Sequence, residues 1–121
     1  MSLAADLFAA LSGATAAGDR VYPAEADQSA APPYIVYQRI SSDPVSSLDG
    51  NSGLDAVRVQ IDCYARTSID AWSVARSVRA ALTTGAAALR PLLINESDAP
   101  PDPSARLYRV TQDYRMWERL S

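Results

Sequence analysis

The chain has no histidine and no lysine, and it has one cysteine among its 121 residues. These absences remove the most common general base, the usual metal-binding imidazole and the amine of Schiff-base chemistry. Cys63 cannot form an internal disulfide, and no second cysteine or histidine is present to build a zinc site with it. The sequence therefore predicts a protein that is not an enzyme and that carries no metal or cofactor.

Positive charge comes from one residue type, because all eleven basic residues are arginine. Fourteen acidic residues bring the net charge to −3. Codon bias in a GC-rich genome explains an arginine-only composition, and the rigid donor fork of arginine also suits protein interfaces. A nucleic-acid-binding protein needs a concentrated basic patch, which this sequence lacks. There is no signal-peptide pattern and no apolar run of membrane-spanning length, so we expect synthesis in the cytoplasm and no membrane contact.

Two amphipathic helices are predicted from apolar residues at helical spacing. The first follows Ser2 as N-cap and stops near Gly13, and its apolar positions are Leu3, Leu7, Phe8 and Leu11. The second begins near Thr67 or Ser68, where Thr67 and Asp70 have the spacing of a capping box, and Gly85 is expected as its C-terminal cap. Its buried stripe should comprise Trp72, Ala75, Val78 and Leu82.

Strands are predicted from β-branched and aromatic runs and from period-two alternation. They cover Tyr34–Ile40, Val57–Tyr64, Leu92–Ile94 and Leu107–Trp117, and residues 20–23 could add a brief extended segment. Turn-forming residues dominate 41–55 and 95–104, which are therefore expected to be long exposed loops. The element order predicts one α+β domain over residues 1–121, with an antiparallel sheet of about four strands and two helices packed on one face.

The polar faces of two predicted strands carry an unusual amount of charge. In Val57–Tyr64, the apolar Val57, Val59, Ile61 and Cys63 alternate with Arg58, Gln60, Asp62 and Tyr64. The last strand repeats the pattern with Arg109, Thr111, Asp113 and Arg115. A solvated sheet face explains this as well as a protein interface does. Asp62 and Asp113 could perform acid–base chemistry if the strands were neighbours, although ion pairs with Arg58 or Arg115 are the favoured interpretation.

Several weak motifs, in one order and spacing, resemble a known family. They are Arg20–Pro23, Pro33–Tyr37, Asp43–Val45 with Leu48–Gly50, Val57–Tyr64, Ala75–Leu82, and the run from Tyr108 through Asp113 and Tyr114 to Trp117. Together they are similar to the tail completion, or tail terminator, proteins of long-tailed phages and gene transfer agents. The resemblance covers the chain from Val21 to Trp117, and it is weakest over 86–106.

The resemblance implies a structural virion protein. Such subunits form a ring, typically sixfold, at the head-proximal end of the tail tube, where they end tube growth and join the tail to the head connector. The implied partners are further copies of the chain, the tail tube protein and the connector or stopper protein. DNA would only pass through the channel, and the net negative charge would keep it from sticking. Assembly would take place in the host cytoplasm.

Within that implied role, the charged strand positions are the hypothetical subunit or tube contacts: Arg39, Arg58, Asp62, Arg109, Asp113 and Arg115. The loop over 42–55, with Leu48, Asp49, Gly50 and Asn51 at its centre, could reach the tube or line the channel. A head-closure or adaptor protein and the tube subunit itself are alternatives within the same particle. A small ligand-binding α+β dimer, with a pocket between sheet and helices, is the alternative from a different class.

Overall fold

The computed structural model describes residues 3–13, 15, 18, 20–23, 31–47, 50–85, 89–102 and 107–119. Two helices and five strands follow one another along the chain. Their bounds are α1 (Leu3–Leu11), β1 (Val21–Pro23), β2 (Tyr34–Ser47), β3 (Gly50–Ala65), α2 (Ser68–Gly85), β4 (Leu92–Asp102) and β5 (Leu107–Arg119).

The strands form one sheet in the order β1-β2-β3-β5-β4. All neighbours are antiparallel except β1, which lies parallel to β2. The α+β prediction is confirmed, and the sheet has five strands where about four were expected. The fifth is the brief segment Val21–Pro23, whose pairing with Ile35, Val36 and Tyr37 makes it a strand.

The prediction of two long loops from turn-forming residues was wrong. Residues 41–47 and 50–55 continue β2 and β3 as a paired hairpin, in which Ser47 pairs with Gly50 and Ser46 with Asn51. Between 95 and 104, β4 runs on to Asp102. Both stretches contain polar residues, glycine or proline, but each gains backbone hydrogen bonds from a long neighbouring strand, and register shifts accommodate the irregular positions. Leu48 and Asp49 lie outside the described residues.

The core lies between the helices and one face of the sheet. Val57, Val59, Ile61 and Cys63 are fully buried there, as the alternation predicted. From α2 the predicted Ala75, Val78 and Leu82 are buried, and Ala71, Val74 and Ala81 join them. Trp72 is only partly buried and packs against the edge of this cluster.

The helix ends follow the sequence with one correction. The Thr67 hydroxyl accepts a hydrogen bond from the Asp70 backbone N–H at 3.1 Å, as expected of the cap. Gly13, with φ +76°, lies just beyond α1. Gly85, however, has no positive φ; a Cβ there would lie 3.2 Å from the Cβ of Ala10. Gly85 therefore permits close approach of α1 to α2 and is not a left-handed cap.

A buried polar network connects α2 to β4 and β5. Gln112 is fully buried, and its amide donates to the Ala75 backbone carbonyl at 3.0 Å and to the Glu96 carboxylate. The Tyr114 hydroxyl donates to Oε1 of Gln112 at 3.1 Å. Arg79 on α2 lies 3.6 Å from Glu96. Because each buried group has a partner, the network fixes α2 over the sheet without leaving a polar atom unsatisfied.

We predict that Gln112→Leu lowers the free energy of unfolding by about 1–3 kcal/mol, because the buried partners of the amide lose their hydrogen bonds. Urea unfolding followed by circular dichroism measures this change. Gln38→Leu on β2, at a half-buried position outside the network, is the matched control and should change the free energy of unfolding by less than about 0.5 kcal/mol. A Gln112→Leu protein as stable as the wild type would contradict the structural role of the network.

Val59→Asp should prevent folding, because it puts an unpaired carboxylate at a fully buried position of the central strand. That penalty is several kcal/mol, comparable with the about 5–15 kcal/mol that stabilises a domain. Arg58→Asp, at the adjacent exposed position, is the control that should stay folded. Far-ultraviolet circular dichroism and solubility distinguish the two, and a soluble, folded Val59→Asp protein would show that the face assignment is reversed.

Candidate functional site: the open face of the sheet

Val59 and Ile61 point to the sheet face that the helices cover. The other face meets no helix within the described part of the chain, since buried residues of both helices belong to the core cluster. We call this surface the open face. The antiparallel registers of β2, β3, β5 and β4 align its side chains in rows that run across the strands. The rows differ in chemistry from one end of the face to the other.

At one end lies an aromatic row. The rings of Tyr34 and Tyr64 stack with centroids 4.9 Å apart, and Tyr22 meets Tyr34 edge to face at 6.1 Å. The guanidinium of Arg109 lies 6.0 Å from the centre of the Tyr64 ring. A hydrogen bond with the Tyr64 side chain raises the pKa of Arg109, against an opposing effect of burial. This arginine is held within its own chain, although its buried Nε has no hydrogen-bond partner there in the described structure.

Asp62 lies in the next row, and it is nearly buried although it lies on the open face. Its carboxylate accepts a hydrogen bond from the Thr111 hydroxyl at 2.8 Å and from the Gln60 amide at 3.1 Å. The predicted ion pair with Arg58 or Arg115 is not formed in the described structure. The reason is register: Thr111, and not an arginine, lies directly opposite Asp62 on β5.

A row of amides and one carboxylate follows. Gln60 lies opposite Asp113, and Gln38 and Asn95 flank them on β2 and β4. Asp62 and Asp113 thus lie on neighbouring strands but in different rows. Within the described residues no group of three histidine, cysteine, aspartate or glutamate side chains could hold a metal ion.

The row after it, which we call the arginine row, comprises Ser41, Arg58, Arg115 and Leu92 on four successive strands. All four side chains are exposed. Arg58 and Arg115 lie directly opposite each other, and neither is within ion-pair distance of a described acidic side chain. Two like charges in this position repel, and the carboxylates of Asp113 and Asp43, in the two adjacent rows of the same face, offset part of that repulsion.

Arg39 is the exception among the six predicted contact residues. The sequence places it on a polar strand face, but its register partner is the buried Val59, so it lies on the helix side of the sheet. There it forms an ion pair with Glu118 of β5. The register shift between Arg39 and Ser41 puts the next residues of β2 out of simple alternation, which the sequence pattern alone does not reveal.

Cys63 is unsuited to nucleophilic chemistry. It is fully buried, and burial, followed by the charges of Asp62 and Glu96, raises the pKa of its thiol. The reactive thiolate is therefore suppressed at neutral pH.

We predict that Cys63 reacts with Ellman's reagent at pH 8 only as fast as the protein unfolds. A Cys63→Ala/Ser97→Cys variant, with its thiol on the exposed part of β4, is the control and should react within the mixing time. Absorbance at 412 nm follows both reactions. Rapid labelling of Cys63 in the folded wild type would contradict its place in the core.

The fold defines a class of small α+β domain whose sheet is packed by helices on one face, with an ordered polar and aromatic surface on the other. Residues 2–119 match the family Tail completion protein gp17, and the chain belongs to this family. It is thus a structural protein of phage tails.

No curated protein matches the chain. Among solved structures, a chain from "Virion of native gene transfer agent (GTA) particle" has 18% identity and a TM-score of 0.46, over 91% of this chain and 82% of that chain. No helix among the described residues is long and apolar enough to span a membrane.

Proposed function

We propose that the protein forms a ring, of six copies, at the head-proximal end of the tail tube, where it ends tube growth and joins the tail to the head connector. The observation that carries this proposal is the family match over residues 2–119. The site of action is then the virion tail, after assembly in the host cytoplasm. The partners are other copies of the chain, the tube protein and the connector or stopper protein.

The open face supports a role in assembly. Its arginine row is exposed and lacks acidic partners in the described structure, and arginine is enriched at protein interfaces. Arg58, Arg115 and Asp113 are therefore the proposed contacts with other subunits or with the tube. Asp62 and Arg109 lie two and three rows away on the same face, where Asp62 is bonded to Thr111 and Arg109 lies against Tyr64, and Arg39 is already paired with Glu118.

The hairpin between β2 and β3 supplies the second proposed contact. Gly50 and Asn51 pair with Ser47 and Ser46 at its end, and Leu48 and Asp49 connect the two strands in sequence. We propose that these central residues, 48–51, touch the tube or line the channel. A net charge of −3 suits a ring through which DNA slides, because it does not attract phosphate.

Arg58→Glu/Arg115→Glu should leave the domain folded and reduce head–tail joining at least about tenfold, because the reversed charges repel the partner that the arginines attract. Joining is measured by complementation of a phage that lacks the gene, with electron microscopy of the particles. Arg66→Glu/Arg76→Glu is the matched control, since both arginines are exposed and lie outside the open face.

Intact particles at wild-type yield with the first variant would contradict the contact role of the arginine row. An equal loss of head–tail joining in the control variant would mean that the effect comes from net charge alone. Free heads and tails of abnormal length with the first variant would agree with failed termination and joining. The position of the protein in the particle distinguishes this role from that of a tube subunit.

A further inference from the structure

Packing holds the edge strand β4 only weakly in the fold. β4 ends the sheet and pairs with β5 alone. Its side chains are described over residues 92–98, and none of these is buried; Leu93 is partly buried against the core cluster. Every other strand contributes at least one buried apolar side chain, and even the three-residue β1 does so through Val21. Because apolar burial provides most of the stability of an element, β4 is less firmly attached than its length suggests.

The pairing of β4 with β5 is also interrupted twice. One register shift lies between Leu93 and Asn95, and a second lies between Ala99 and Asp102. The additional residues at the second shift are Pro100 and Pro101, which have no N–H group to donate. Regular pairing is therefore confined to 95–99, whereas β3 pairs with β5 over 54–65 without a shift. The ladder on the β4 side of β5 is thus the weaker of the two.

One side chain, Glu96, connects β4 to the polar network under α2. It lies opposite Gln112 on the helix side of the sheet, and its side chain is 14% exposed. The carboxylate accepts a hydrogen bond from the Gln112 amide and lies 3.6 Å from the guanidinium of Arg79. Hydrogen bonds to a charged group are stronger than those between neutral groups. We call this set of interactions the Glu96 contact, and it compensates in part for the sparse packing of β4.

The chain enters β4 through a strained residue. Leu89 is buried in the core cluster, and the next residue, Arg90, has φ +49°. This left-handed conformation is unfavourable for a residue with a Cβ atom. Arg90 also precedes Pro91, and a residue before proline favours an extended backbone. A fixed point is therefore followed directly by a residue whose strain is relieved when the backbone rotates, which is the arrangement of a hinge.

We propose that β4 separates from β5 while the other strands stay folded, with Arg90 as the hinge and the Glu96 contact keeping β4 closed. Opening exposes one side of the β5 backbone, and the N–H and C=O groups of such an edge pair readily with an added strand. Residues 103–106 connect β4 to β5 in sequence, so the strand stays tethered at both ends and closes again. This device does not depend on the proposed ring.

Hydrogen exchange of the full chain, resolved by residue with nuclear magnetic resonance, tests the proposal. Successive residues of a central strand direct their N–H groups to opposite neighbours, so the amides of β5 form a β4-facing set and a β3-facing set. Both sets lie on one strand and serve as controls for each other. We expect the β4-facing amides to exchange at least about a hundredfold faster, because only they are released by local opening.

Two substitutions separate local opening from global unfolding. Ile35→Val, in the buried part of β2, should accelerate the β3-facing amides about two- to tenfold and leave the β4-facing set unchanged, because Ile35 stays buried when β4 opens. Glu96→Ala should accelerate the β4-facing set at least about fivefold. Asp98→Ala is its matched control, since Asp98 is an exposed carboxylate on the same strand, and it should change that rate less than about twofold.

A disulfide between the two strands should prevent opening. Asn95 and Asp113 are register partners, so Asn95→Cys/Asp113→Cys, in a Cys63→Ala background, brings two thiols within bonding range. In the oxidised protein the β4-facing amides should slow to the rate of the β3-facing set. The same protein after reduction is the control and should regain fast exchange.

Four results would overturn the proposal or a part of it. Equal exchange of the two sets in the wild type would mean that β4 opens only with the whole domain. Equal acceleration of both sets by Ile35→Val would lead to the same conclusion. Fast exchange that persists in the oxidised protein would assign it to a motion other than separation of β4 from β5. A Glu96→Ala protein that exchanges like the wild type would remove Glu96 as the contact that keeps the strand closed.

Discussion

The antiparallel pairing of β3 with β5 is the interaction on which the rest of this structure depends. Side chains alternate between faces with a period of two, so one register decides both surfaces of the sheet at once. The same pairing that puts Val59 beside Tyr114 in the core puts Arg58 beside Arg115 on the open face. A slip of one residue would expose the core and bury the arginines. Burial of apolar side chains on the helix side therefore also fixes which polar residues lie opposite each other on the open face.

The side chains of the open face make fewer contacts with one another from the aromatic row towards the arginine row. The stacked Tyr34 and Tyr64 and the hydrogen-bonded Asp62 form a partly buried layer that needs no second molecule. Two rows away, the arginine row has exposed side chains and no ionic partner in the described structure. A layer held by internal contacts beside an exposed row suits binding, because such support limits the conformational freedom that the contact residues lose when a partner docks.

Sequence reasoning predicted the features that depend on local pattern and missed those that depend on partners distant in sequence. The faces of β3 and β5 and the cap at Thr67 follow from residue spacing, and the structure confirms them. The end of the β2–β3 hairpin, residues 41–47 and 50–55, was predicted as part of a loop because its Ser, Asp and Gly residues favour turns, yet strand pairing overrides that preference. The role of Gly85 depends on Ala10, and the burial of Gln112 depends on α2 and Glu96. The position of Gln112 among Val110, Tyr114 and Met116 was the available signal for a buried polar residue.

Two pairs on the same strands differ in a way that supports the proposed contact role of the arginine row. Asp62 and Thr111 form a satisfied pair, whereas Arg58 and Arg115, further along the same two strands, form a repulsive one. Natural sequences favour mutually supportive contacts, and local conflicts concentrate at functional sites. A merely solvated face would gain stability from a carboxylate or a neutral residue at either arginine position, and nothing in the core would oppose that change, since both side chains point away from it. The repulsive pair therefore lies at exposed positions of the open face, where both guanidinium groups are accessible to another protein.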